Sequence, residues 1–189
     1  MDRRFIKTEK AIRDAYFNLL QEGRKKITVA EIARIADIDR KTFYLHYQSV
    51  DDIVVAFAKD TIRQFLDVLK ERGFYPESHD LIIFFQSLNE FMIKDYALYR
   101  ILSRDHNYDF FWDAIQEIVR NTIIDLVMIP GELNDSELHT YADLYTCGII
   151  AIYRRWLEIE DSMSLDELGN YLSKISETAF RIYKKDNAD

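Results

Sequence analysis

Apolar residues recur at three- and four-residue spacing along almost the whole chain, the period of helices that each bury a stripe. No sustained period-two alternation interrupts it, so the pattern predicts an all-α fold. A first helix is expected from about Lys7 to Glu22, with Ile12, Ala15, Tyr16 and Leu19 inward and Gly23 as its stop. Thr28 followed by Glu31 is a capping box, in which hydroxyl and carboxylate satisfy free N–H groups at a helix start. The helix it opens carries Val29, Ile32, Ala33 and Ala36 on its inner face. Asp37-Ile38-Asp39 then breaks the period: Ile38 plugs a corner and Asp39 caps the next helix, which begins near Arg40. That helix points Phe43 and Tyr47 into the core and leaves Arg40, Lys41, Thr42, Tyr44 and His46 outside. Two capped helices around a three-residue turn form a helix-turn-helix, and the cationic, hydroxylated and aromatic outer face suits a phosphate-walled groove.

Ser49 with Asp52 opens a fourth helix, striped by Val54, Ala58, Ile62, Phe65 and Leu69 and ending near Gly73, ahead of Pro76. Five more helices are expected. They contain Leu81 to Ile93 and Ala97 to Ser103, then run from about Asp109 to Ile129 with a stop at Pro130-Gly131. The last two open at capping signals, Asn134 with Glu137 and Ser164 with Glu167, and run to about Glu160 and Lys184. The expected architecture has about nine helices, with a three-helix DNA-binding domain over residues 1–50 and a larger helical domain over 51–189.

Charge changes the picture. The net charge of −8 speaks against general nucleic-acid binding, but it is an average. Residues 1–47 hold 11 Lys/Arg against 7 Asp/Glu, a balance of +4 that leaves −12 on the remainder. One positive face on an otherwise acidic molecule fits a protein that meets a polyanion in a single orientation.

The run TVAEIARIADIDRKTFYLHY, followed by QSVDDIVVAF, resembles the N-terminal domain of TetR-type (TetR/AcrR) bacterial transcriptional regulators over about residues 7–60. The Tyr-x-His-aromatic ending, Tyr44-Leu45-His46-Tyr47, is part of the likeness. The resemblance implies that Tyr44 touches DNA, that Thr42 and His46 hold the backbone, and that Arg40 and Lys41 reach base edges. With Thr28 these are the expected DNA-binding residues. Two positions depart from the family pattern: Asp37 stands where glycine is usual, and Val50 stands where a phosphate-pairing lysine is usual. The stretch CGIIAIYRRWLEIEDSMSLDEL is similar to the C-terminal domains of Gram-positive members.

The last two helices are apolar on more than one face, which requires burial on two sides. In the penultimate helix Tyr141, Tyr145, Gly148, Ile152 and Trp156 form one face and Leu144, Cys147, Ala151 and Arg155 another. The final helix adds Tyr171 and Phe180 to Leu168, Leu172, Ile175, Ala179 and Ile182. The resemblance implies a homodimer through these helices, with Trp156, Leu168, Leu172, Ile175 and Ala179 at the interface. Phe84, Phe91, Tyr99, Phe111, Trp112 and Tyr145 are the candidate lining of an apolar pocket for a small effector, although helical spacing favours ordinary core for most of them.

These features lead to a repressor: a homodimer on a palindromic operator in double-stranded DNA, controlled by a small apolar or aromatic effector. The alternative keeps DNA binding and makes the C-terminal domain the recruiter of a protein partner. An enzyme is not expected. The four histidines are widely separated, and no phosphate-cradling glycine loop, nucleophile elbow or zinc-spaced Cys/His set occurs. Asp105, His106, Asp109 and Asp113 come nearest to a metal set and read equally as acidic residues at a helix start, so no metal or cofactor is expected. The single cysteine, Cys147, is expected to be a buried packing thiol. No apolar run approaches the ~20 residues of a membrane span and no signal-peptide core follows the N-terminal basic residues, so a cytoplasmic protein with no membrane partner is expected.

Overall fold

The computed structural model describes residues 3–24, 26–74, 81–126, 134–159 and 163–186. Among them it is all-helical, with nine α-helices and one short 3₁₀ turn. The first three are α1 (Arg3–Gln21), α2 (Val29–Ile35) and α3 (Arg40–His46); α4 (Asp51–Glu71) follows. Beyond it come α5 (Leu81–Lys94), α6 (Tyr96–Arg104), the 3₁₀ turn (His106–Tyr108), α7 (Asp109–Leu126), α8 (Asp135–Glu158) and α9 (Leu165–Asp186).

The expected caps form. Asn134 accepts from the Glu137 N–H at 3.1 Å while Glu137 accepts from the Asn134 N–H at 2.9 Å. Ser164 and Glu167 make the same reciprocal pair at 3.2 and 2.8 Å. Gly23 and Gly73 both take positive φ, 79° and 71°, where α1 and α4 stop, a conformation that glycine reaches without a Cβ clash. α1 begins at Arg3, a turn earlier than periodicity predicts, because Phe5 has a partner outside its own helix. The Pro76 and Pro130-Gly131 breaks lie outside the described residues.

One hydrophobic core runs through the chain. Ile12, Tyr16 and Leu19 of α1 meet Ile32 and Phe43, and the cluster continues through Val54, Ala58 and Phe65 of α4 into α5, α6 and α7. Aromatic rings carry it across: Phe17 of α1 lies edge-on to Phe57 of α4 at 4.7 Å, and Phe57 stacks on Phe111 of α7 at 5.8 Å. α4, about 30 Å long for its 21 residues, is thus shared by the helix-turn-helix and the helices beyond.

At the far end α5 packs against α9. Asn89, buried on α5, donates from Nδ2 to the Leu165 carbonyl at 2.5 Å and accepts from the Tyr153 hydroxyl at 2.7 Å, tying α9 and α8 together. Cys147 is exposed, contrary to the expectation of a buried thiol. It sits on the Leu144–Ala151 side of α8, which the described residues leave open, and its Sγ takes a contact from Gln116 Nε2 at 3.2 Å.

Candidate nucleic-acid interface

The helix-turn-helix is built from its caps outward. Thr28 Oγ1 accepts from the Glu31 N–H at 3.3 Å, and the Glu31 carboxylate accepts from the Thr28 N–H at 3.0 Å. The side-chain bond from Thr28, then the backbone one, holds the Glu31 carboxyl below its ordinary range, so the box stays charged and closed. Thr28 is therefore committed to its cap, with its face exposed. Asp37 takes a φ of 53°, a left-handed turn that aspartate reaches at modest cost. Asp39 accepts from the Thr42 N–H at 2.6 Å, and that backbone bond is the main reason its carboxyl also titrates low.

So started, α3 buries Phe43 completely and caps its end with the buried Tyr47. Arg40, Lys41 and Tyr44 point outward, Tyr44 with 57% of its surface exposed. Thr42 and His46 sit half-buried at the flanks. Of the six residues expected to contact DNA, the structure places all on the outer side or flank of one helix pair.

Two further features shape this face. His46 stacks on Phe5 of α1, ring centroids 4.0 Å apart, and its Nδ1 is buried without a hydrogen-bond partner. The contact brings the start of α1 beside the end of α3 and sets the exposed Arg3, Lys7 and Lys10 of α1 on the same domain. Leu45 is 70% exposed, an apolar side chain in the middle of the outer face that helical counting from Phe43 would have found. Val50, where the family pattern has lysine, packs against the core, so no cation stands at that position.

Behind α3 lies an ionic hub. Arg13 of α1 donates to the Tyr47 hydroxyl at 2.8 Å, to Glu9 at 2.6 Å and to Asp60 of α4. Burial works against the charge of Arg13, but these acceptors outweigh it and raise its pKa. A cleft of about 850 Å³ opens beside the hub, lined by Ile6, Lys10, Phe17, Arg63 and Leu98 among others.

None of the candidate effector residues borders that cleft. Phe84 and Phe91 pack on Phe65 at 5.5 and 5.7 Å, while Tyr99 and Phe111 close around Phe57. Trp112 is buried and donates to the Leu102 carbonyl at 3.0 Å. Tyr145 lies against Tyr141 on α8 at 4.4 Å. Phe91, Tyr99, Phe111 and Trp112 belong to the one hydrophobic core and Phe84 packs against it.

The candidate interface residues divide as well. Leu168 and Leu172 are buried within the chain's own core, and Trp156 is half-buried, donating to the Met163 carbonyl at 2.8 Å. Ile175 is 48% exposed, and the Ala179 side chain lies outside the described residues. The apolar surface that α8 and α9 leave uncovered is Leu144, Ile152, Tyr171 and Ile175. Near the start of α7, Asp109 is held by Arg154 and contacts His106 Nδ1 at 3.3 Å, and no group of metal-ligating side chains occurs among the described residues. Among those residues no helix is long and apolar enough to cross a membrane.

A Thr-capped helix, a left-handed turn and an Asp-capped helix with a cationic, aromatic outer face define a helix-turn-helix protein of all-helical architecture. No protein-family model matches the chain. Over 71 residues, 36% of this chain, it is 30% identical to the HTH-type transcriptional regulator YxbF of Bacillus subtilis (strain 168), and the match spans 19% of that protein's length. A solved structure of the dihydroxyacetone kinase operon activator DhaS has the same fold, with a TM-score of 0.62 over 93% of this chain and 97% of that one at 20% identity.

Proposed function

We propose that this chain is a sequence-specific DNA-binding transcriptional regulator that acts as a homodimer on a palindromic operator. The observation that carries the reading is the orientation of α3: Phe43 and Tyr47 are buried, so Arg40, Lys41 and Tyr44 face away from the domain. Arg40 and Lys41 read base edges, Tyr44 contacts the duplex, and Thr42 and His46 meet phosphate. One seven-residue helix makes few base contacts, and a two-fold copy supplies the rest. The YxbF likeness, which overlaps a helix-turn-helix regulator by name, supports the class.

Bound over a promoter, such a dimer represses by occupancy, and a small apolar or aromatic effector that favours another domain geometry would release it. The packing of Phe84, Phe91, Tyr99, Phe111 and Trp112 against neighbouring rings favours a second reading, in which the acidic helical domain recruits a protein partner. DhaS, which shares the fold, is named an operon activator.

Selection of bound sequences from random duplex DNA tests the proposal. It should enrich a palindrome whose half-sites lie about 34 Å apart, or a multiple of that. Arg40→Ala and Tyr44→Ala should weaken binding to the enriched duplex without lowering the melting temperature, and Lys41→Ala should relax the sequence preference at the base pair it reads. No enrichment, or variants that bind like the parent, would overturn it.

A further inference from the structure

We propose that Leu45 reads the 5-methyl group of thymine in the major groove and so sets part of the operator sequence; this rests on the DNA-binding reading above. Residues two before and two after Phe43 project about 160° away from it on a helix that turns about 100° per residue. Lys41 and Leu45 are those residues. Phe43 is wholly buried, so the line from Lys41 to Leu45, one helical turn long, is the crest of the face that α3 turns away from the domain.

A single exposed leucine is ordinary on a protein surface, and exposure alone would carry nothing. Placement carries the inference. Leu45 stands on the crest one turn beyond Lys41 and next to the exposed Tyr44, with 70% of its surface open, and lies outside the hydrophobic core. Seated in a groove, the crest penetrates deepest, where phosphates are out of reach and base edges are the only neighbours. Base edges in the major groove offer hydrogen-bonding groups and one apolar group, the thymine methyl. Against a donor or acceptor Leu45 would displace water and return no hydrogen bond, which costs affinity. Against a methyl it excludes water from two apolar surfaces at once.

The test uses the full chain and the duplex it enriches from a random pool, with each thymine replaced in turn by deoxyuridine, which removes the methyl and nothing else. At one or two positions in each half-site the replacement should weaken binding about three- to fivefold, the worth of one buried methyl group. Leu45→Ala should keep the parent's melting temperature and bind the thymine and uracil duplexes equally. Deoxyuridine that is neutral at every position, or a penalty that persists in Leu45→Ala, would overturn the assignment while leaving DNA binding intact. A chain that enriches no duplex would overturn both.

Discussion

Arg13 Nε donates to the Tyr47 hydroxyl at 2.8 Å, and this bond fastens the end of the recognition helix to α1. The same guanidinium holds Asp60 of α4, so one cation fixes three helices that meet behind the outward face of α3. The arrangement places α3 relative to the long α4, which continues into the helices beyond. Tyr47→Phe removes the bond accepted from Arg13 and the longer one donated to Glu9, at 3.4 Å, and should cost about 1 kcal/mol. Arg13→Ala leaves Asp60 and Tyr47 short of a donor in a half-buried site and should cost about 2 kcal/mol. Denaturant melts of the two variants and their double check this: the double should fall well short of the sum, because both remove the same bond.

The hub explains why the sequence revealed faces but not partners. Arg13 and Tyr47 are 34 residues apart, Arg13 and Asp60 47 apart, and a helical period reports which side of a helix is inward without saying what it meets. Local signals were legible because they are complete within four residues: the Thr28–Glu31, Asn134–Glu137 and Ser164–Glu167 boxes all close as read. Aromatic content in α5 to α7 said nothing of whether Phe84 or Phe111 lines a space or fills it. Leu168 and Leu172 belong to an apolar stripe that this chain itself covers, whereas Tyr171 and Ile175, on the other side of α9, stay open. Leu45 lacks the charge or hydroxyl that marks a DNA contact in a sequence, although counting from Phe43 puts it on the crest.

Acid should loosen the recognition helix through its cap. The Thr42 N–H bonded to Asp39 holds that carboxyl below its ordinary range in the folded chain. The unfolded chain therefore takes up the proton first as pH falls. The ionised cap contributes its full stability above the ordinary carboxylate value of about 4, and the contribution drains away as pH drops from there through the lower folded value. Asp39→Asn keeps a good cap without the titration. Melting temperatures of parent and variant should differ most near neutral pH and converge in acid; a gap that stays constant would show that the cap does not titrate as described.

Gly169 fits α9 against α5 with no room to spare. A Cβ at this position would stand 2.6 Å from Asn89 Nδ2 and 3.5 Å from the Phe85 Cβ. Asn89 cannot turn aside without losing Leu165 or Tyr153, and it is buried where no water replaces them. Gly169→Ala should thus cost about 1–3 kcal/mol by overpacking. In an Asn89→Ala background the same change should cost much less, a coupling that a denaturant double-mutant cycle reads directly.

The uncovered apolar side of α8 and α9 is where a second copy is expected. α8 buries Leu138, Ala142, Tyr153 and Leu157 in its own chain and leaves Leu144 70% exposed, while α9 buries Leu165 and Leu168 and leaves Tyr171 58% exposed. A helix apolar on two sides is stable in water when both are covered, and an identical chain supplies an isologous surface by symmetry. A carboxylate placed there would be trapped against apolar groups on both copies. Leu144→Glu and Ile175→Glu should therefore sediment as monomers that still fold but melt below the dimeric parent, since the stabilisation supplied by association is lost while each chain keeps its own core. Operator affinity should fall by about 10²-fold or more, because the second recognition helix no longer binds as part of the same molecule. Variants that remain dimeric and keep their affinity would move the dimer contact off these helices.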